Sequence, residues 1–316
     1  MRTGAILVAV AGLLLAVPFA FRAQGPVNIQ PRQKATKQDD TPRADLRVET
    51  KEVLIPVAVN DEWGRPVAGL EAKHFRIFDD KEQQRISSFL MDDSPVALGL
   101  VFDTSDSMSH VLPQAKRAAA LFLATANPGD EFMMVEFDST PRLSVPLTDD
   151  LSHLRYELTF TKSKGSTALI DAVYMAMNEI KKSERTRKAL IVVSDGGDNN
   201  SRYTASELKN LLQESQVLIY SVGVFAYDAF QDPGGPGLLR RIAEETGGRL
   251  FTSGSGLVDI AQKISIDLRN RYVLGYHPTN TARDGKYHKV EVDLKPPRGL
   301  PKLRAYWRRG YYASTE

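Results

Sequence analysis

The spacing of apolar and polar positions changes character twice along the chain. Between Val53 and Phe89 the apolar stretches are short and broken by polar turns. From Val96 to Leu268, unbroken apolar runs take turns with stripes at helical spacing. After Tyr272 short alternating stretches return. The middle region sets the class. Val96 to Phe102 is a continuous apolar run, the pattern of a strand buried on both faces. Ala189 to Val193 repeats it, and Phe132 to Phe137 and Val217 to Val224 do so with one polar residue each, Glu136 and Ser221. Between them lie helical stripes: Leu112, Ala115, Ala119, Phe122 and Leu123; then Leu169, Ala172, Val173, Ala176, Met177 and Ile180; then Leu208, Leu211 and Leu212; and last Leu257, Ile260, Ile264 and Leu268. A short amphipathic helix is expected from Leu151 to Phe160 and another from Leu238 to Glu245, stopped by Gly247-Gly248. Strands that alternate with helices predict an α/β fold around a mostly parallel sheet, doubly wound and Rossmann-like. Leu143 to Leu147 contains Pro146, which assigns it to a sheet edge.

The flanks predict β structure. Val53 to Val59 reads as a strand, with Pro56 marking an edge or a bulge. Phe75 to Phe78 and Arg85 to Phe89 follow, separated by a polar turn at Asp79-Asp80-Lys81. Beyond the α/β region come Tyr272 to Tyr276, Tyr287 to Leu294 and one aromatic, basic stretch from Leu303 to Tyr312. Neither flank holds enough residues for a large core of its own. Together they are expected to form a small β module built from N- and C-terminal strands. The N-terminus carries Arg2, an apolar run from Ile6 to Val17 and Pro18, the pattern of an export signal. Ala20 and Ala23 are its cleavage positions, and retention as an uncleaved anchor is the alternative, the one route to a membrane. The expected organisation is a signal or anchor at 1–23, a disordered linker at 24–45, a β segment at 46–93, an α/β domain at 94–270 and a closing β segment at 271–316.

Composition narrows the chemistry. The formal net charge is +2, which gives no electrostatic case for nucleic acid. There is no cysteine, so disulfides, thiolate metal sites, cysteine nucleophiles and a lipid-modified cysteine are all excluded. The five histidines are scattered without ligand spacing, so surface or hydrogen-bonded roles are expected of them.

Three segments end in oxygen-bearing side chains where ligands gather in open α/β sheets, outside the carboxyl ends of strands. The first strand runs into Asp103-Thr-Ser105-Asp-Ser107. Gly165-Ser-Thr167 precedes a helix. Val193-Ser-Asp195-Gly closes a later strand. Asp103, Ser105, Ser107, Thr167 and Asp195 form a set of hard donors suited to Mg²⁺, or to Mn²⁺ and less readily Ca²⁺. Taken singly, each segment could be an ordinary turn or helix cap. The three together resemble the metal-ion-dependent adhesion site of von Willebrand factor type A domains, and the flanking Val-Leu-Ile-Pro-Val and Tyr-Val-Leu-Gly-Tyr strands resemble those of a secreted bacterial branch of that family. The resemblance implies direct ligation by Ser105 and Ser107, by Thr167 directly or through water, and by Asp103 and Asp195 mostly through water. It also implies a non-enzymatic, exported module, periplasmic, envelope-bound or secreted. Such a module would capture a carboxylate of a protein partner. Asp198 and the loop 226–237, with Tyr227 and Asp232, would rim the site. A Mg²⁺-dependent phosphatase is the competing class, but its Asp-x-Asp pattern is broken by Ser105. A structural envelope protein with a stabilising metal is the third.

Overall fold

The computed structural model describes residues 52–225, 234–252 and 256–315. The expected export signal and linker lie outside the described residues, as do Tyr227 and Asp232. A six-stranded sheet forms the centre, in the order β10-β9-β8-β5-β6-β7. Its strands are β5 (Val96–Asp103), β6 (Glu131–Phe137), β7 (Pro141–Thr148), β8 (Arg187–Ser194), β9 (Leu218–Gly223) and β10 (Leu250–Thr252). All neighbours are parallel except β7, which runs antiparallel at the edge that Pro146 predicts.

Every residue of β5 is buried, and its alternating side chains feed two cores. Leu98, Leu100 and Phe102 pack with Ala115, Ala119 and Phe122 of α1 (Leu112–Leu123) and with Ile260 and Ile264 of α6 (Leu257–Arg269). Ala97 and Val101 pack on the other face with Val173 and Met177 of α3 (Leu169–Ile180). Burying a side chain of this kind contributes roughly 1.5–3 kcal/mol, so two such faces hold the strand ends in place. Further helices are α2 (Leu151–Phe160), and α4 (Ala205–Glu214), which opens on a Thr204–Glu207 capping box. The helix expected from Leu238 instead begins at Gly234, as α5 (Gly234–Glu245). Pro236 falls in its first turn, where a missing N–H breaks no intrahelical bond. Glycine-rich composition hid that turn.

The flanking segments share two four-stranded sheets, ordered β13-β1-β11-β4 and β14-β12-β2-β3. From the N-terminal side come β1 (Val53–Asn60), β2 (Phe75–Asp79), β3 (Glu82–Gln84) and β4 (Ile86–Asp92). From the C-terminal side come β11 (Arg271–Tyr276), β12 (Tyr287–Leu294), β13 (Arg304–Trp307) and β14 (Gly310–Tyr312). The small β module is therefore interleaved from both ends of the described chain. Ile55, Val57, Ile77, Tyr272, Leu274 and Val290 fill its core. Pro56 pairs with Val273 of β11, whereas pairing with β13 starts only at Val57, so the proline sits where its strand has one neighbour. The single stretch expected from Leu303 to Tyr312 divides between the two sheets. Arg308 at the break turns aside to donate to the Gln213 carbonyl. Gly310 lets β14 approach β12, since a Cβ there would lie 2.1 Å from the His288 carbonyl oxygen.

Where α6 leads into β11, three polar side chains are buried together. Arg271 donates to the Gly247 carbonyl at 2.9 Å and lies 3.4 Å from Asp267 Oδ2, while the Tyr220 hydroxyl donates to the same carboxylate. Among the described residues, no helix is long and apolar enough to cross a membrane.

Candidate metal centre

The carboxyl end of β5 delivers Asp103 into the interior with no solvent contact. Its Oδ1 accepts from the Ser105 N–H at 2.9 Å and from the Ser105 hydroxyl at 2.6 Å. Its Oδ2 accepts from the Ser194 hydroxyl at 2.5 Å. Among the described residues, no cationic side chain forms an ion pair with it. Burial, reinforced by the nearby charge of Asp195, outweighs these hydrogen bonds and pushes the carboxyl up to about 6. The chain then turns through a short 3₁₀ segment, Asp106–Met108, anchored by the buried Met108. That turn sets the Ser107 hydroxyl 3.0 Å from the Ser105 hydroxyl, with Ser105 buried and Ser107 exposed.

Main-chain bonds tie the other two segments to this loop. Lys164 N–H donates to the Thr104 carbonyl at 2.7 Å, and Asp106 N–H donates to the Gly165 carbonyl at 3.0 Å. Thr167 follows, and its carbonyl accepts from the N–H groups of Asn199 and Asn200, each at 3.0 Å. The Thr167 N–H in turn donates to Asn199 Oδ1 at 2.9 Å. Asp195 leaves β8 half-buried, and its Oδ1 accepts from the Gly197 N–H at 3.0 Å. A Cβ on Gly197 would lie 3.4 Å from Asp195 Oδ1 and 3.9 Å from Thr167 Oγ1, so these two oxygens flank the same small residue. Gly196 adopts φ +85° and presses on the start of α5, where a Cβ would meet the Gly235 carbonyl oxygen at 2.4 Å.

Asp198 is half-buried. Its Oδ1 accepts from the Ile170 N–H at 3.3 Å and the Ser201 hydroxyl at 2.5 Å, so its charge sits at the N-terminus of α3. Two residues that the sequence did not single out hold the cluster: Ser194 fixes Asp103, and Asn199 fixes the Thr167 main chain. In the sequence both look like ordinary turn residues beside Asp195.

Comparison with known proteins bears on this arrangement. The family model of the von Willebrand factor type A domain matches residues 98–197. The chain carries a von Willebrand factor type A domain. The matched stretch of that domain runs from β5 to the loop after β8 and so includes all five candidate ligands. A curated protein of Borreliella burgdorferi, described only as uncharacterized, is 25% identical over 179 residues, which cover 48% of this chain and 52% of that protein. The chain thus spans about half the length of that relative. Among solved structures, BatB from Bacteroides thetaiotaomicron is similar at 23% identity and TM-score 0.45, over 54% of this chain and 98% of that one. A von Willebrand factor type A protein from Catenulispora acidiphila gives 14% identity and TM-score 0.49 over 85% of this chain and 75% of that one. Proximal thread matrix protein 1 of the mussel byssus, solved with a zinc-occupied MIDAS motif, gives 21% identity and TM-score 0.48 over 60% and 49%.

Proposed function

We propose that the domain is an exported, non-enzymatic binding module that uses a divalent cation, Mg²⁺ first, to grip a carboxylate on a protein partner. The observation that carries the reading is Asp103. A buried carboxylate with hydroxyl and N–H donors but no cationic partner among the described residues is an incomplete charge balance. The donor set around it fits a hard cation, being made of hydroxyl and carboxylate oxygens. Ser105, Ser107 and Thr167 would ligate with neutral oxygens, and Asp103 and Asp195 would balance the charge from behind. A bound cation would supply an electrophilic position that a partner's carboxylate completes. The chain's own work is to hold the hydroxyls in register, through the Met108 anchor and the Asn199 clamp, and to leave Ser107 and Asp195 open to solvent. Export is supported by the apolar segment from Ile6 to Val17.

The test is a melting curve in EDTA and in excess Mg²⁺, for the full chain and for Ser105→Ala. Ligand at a hundredfold excess over its Kd stabilises by about 2.7 kcal/mol, and that gain should be present in the parent and absent from the variant. Identical melting in all four samples would remove the metal site. Capture of partners from an envelope extract should likewise need both Mg²⁺ and Ser105, and a partner set indifferent to EDTA would remove carboxylate capture.

A further inference from the structure

In the β module, Asp79 ends β2, Asp80 follows in the turn to β3, and His288 lies on β12 beside them. The sequence reading expects His288 to be exposed or hydrogen-bonded, but the imidazole is buried and its Nδ1 makes no hydrogen bond among the described residues. The same holds for Asp79 Oδ1, on a residue only 4% exposed. These two orphaned atoms face each other at 3.6 Å, and Asp80 Oδ2 lies 3.0 Å from the same nitrogen. All three ligand atoms fall within 4.8 Å of one another.

We infer that Asp79, Asp80 and His288 form a second divalent-cation site, for a transition ion of the Zn²⁺ type, separate from the Asp103 cluster. Ligands bound at about 2.0–2.1 Å in tetrahedral geometry stand roughly 3.3–3.5 Å apart, and the two measured separations bracket that spacing. An imidazole nitrogen with two carboxylate oxygens suits zinc better than magnesium, which avoids nitrogen donors. The surrounding groups are those that orient metal ligands. Asp79 Oδ2 is held by the hydroxyls of Tyr276 at 3.0 Å and Tyr311 at 2.8 Å, which turns Oδ1 toward His288. Tyr311 also stacks on the imidazole. The Asp284 carboxylate lies 4.0 Å from His288 Nε2, so a negative charge stands on the far side of the imidazole from Nδ1. Asp80 Oδ1 accepts from the Lys289 N–H at 2.9 Å, leaving Oδ2 as the free oxygen. The Asp80 side chain is half exposed, so an ion can enter from solvent and keep water in its remaining position.

The bland alternative is an ion pair between a protonated His288 and the two aspartates. Equilibrium dialysis with Zn²⁺ separates the two. It is run on the full chain in millimolar Mg²⁺, with Ser105→Ala included so that zinc at the Asp103 cluster is not counted. One Zn²⁺ should be retained by the parent and by Ser105→Ala. Asp80→Asn should weaken it at least tenfold, as should His288→Gln. Asp80 has φ +46°, a conformation that asparagine tolerates, and its amide oxygen can still accept from Lys289, so this variant keeps the fold. An unchanged circular dichroism spectrum checks that. If Ser105→Ala retains no Zn²⁺, or if Asp80→Asn retains it as tightly as the parent, the inference is overturned and the cluster is the ion pair.

Discussion

Two buried aspartates invite comparison. Asp267, where α6 meets β11, lies against the buried Arg271 guanidinium and accepts from the Tyr220 hydroxyl. Asp103, at the carboxyl end of β5, is equally buried and among the described residues accepts only from Ser105 and Ser194. The first carboxylate has its counter-charge within the chain, although Asp267 Oδ1 and Arg271 Nε make no hydrogen bond among the described residues, and its cluster joins the sheet domain to the β module. The second has hydrogen bonds without a counter-charge. Hydroxyl dipoles offset part of the desolvation cost but leave the formal charge in place, which is why its proton is held up to about 6. On the function proposed above, the difference makes one aspartate structural and leaves the other to be balanced by a cation from outside.

The largest effect should come from removing the counter-charge of Asp267. Arg271→Met leaves Asp267 buried and uncompensated and should cost about 3–5 kcal/mol in urea unfolding at neutral pH. The double variant Arg271→Met/Asp267→Leu should regain most of that. A loss below about 1 kcal/mol for the single variant would mean that the two aspartates do not differ in the way described.

Removing the charge of Asp103 itself should instead stabilise the fold when metal is withheld. A carboxyl raised from 3.8 to about 6 in the folded protein binds more protons there than in the unfolded chain. In EDTA its contribution is therefore fully present below about pH 4 and is lost as pH rises through about 6, by roughly 3 kcal/mol. Asp103→Asn should flatten that slope and be more stable than the parent at pH 7 in EDTA, and should gain nothing from Mg²⁺. A variant less stable than the parent in EDTA at pH 7 would show that the hydroxyls alone satisfy the charge.

The contrast also explains what could be seen in the sequence. β5 and β8 were legible because a strand buried on both faces has no polar positions, so Asp103 and Asp195 stand out as abrupt ends. Thr167 was legible because it precedes a clear helical stripe. Pro146 placed β7 at the edge because a missing N–H has only one tolerable location. Ser194 and Asn199 were not legible, since their roles depend on partners 91 and 32 residues away. The Asp79–His288 contact was hidden for the same reason: it depends on β2 pairing with β12 across the whole sheet domain. The division of residues 303–312 between two sheets was also hidden, because periodicity within one segment says nothing about which sheet each half joins.

Ser194→Ala asks how much the neutral donors contribute. It removes the hydroxyl that donates to Asp103 Oδ2 and accepts from the Gly196 N–H. Hydrogen bonds to charged groups are worth about 1.5–3 kcal/mol, so a loss near 2 kcal/mol is expected in EDTA by chemical denaturation. Mg²⁺ affinity should fall about tenfold, as it does when a group that orients a ligand is lost. A change in affinity with no change in metal-free stability would mean that Ser194 acts on the cation rather than on Asp103.

The smallest effect tests the far side of the cluster. Asn199 Oδ1 accepts from the Thr167 N–H, while the Asn199 N–H donates back to the Thr167 carbonyl. Asn199→Ala keeps the main-chain bond and deletes only the side-chain one, so about 1 kcal/mol is at stake. Asn199→Asp keeps an acceptor in the same place and should restore the metal-free stability. If Asn199 serves only to position Thr167, the alanine variant should bind Mg²⁺ more weakly in isothermal titration and the aspartate variant as tightly as the parent. Should both variants weaken binding alike, the amide group itself is needed, and Thr167 is not held in place by the bond that distinguishes them.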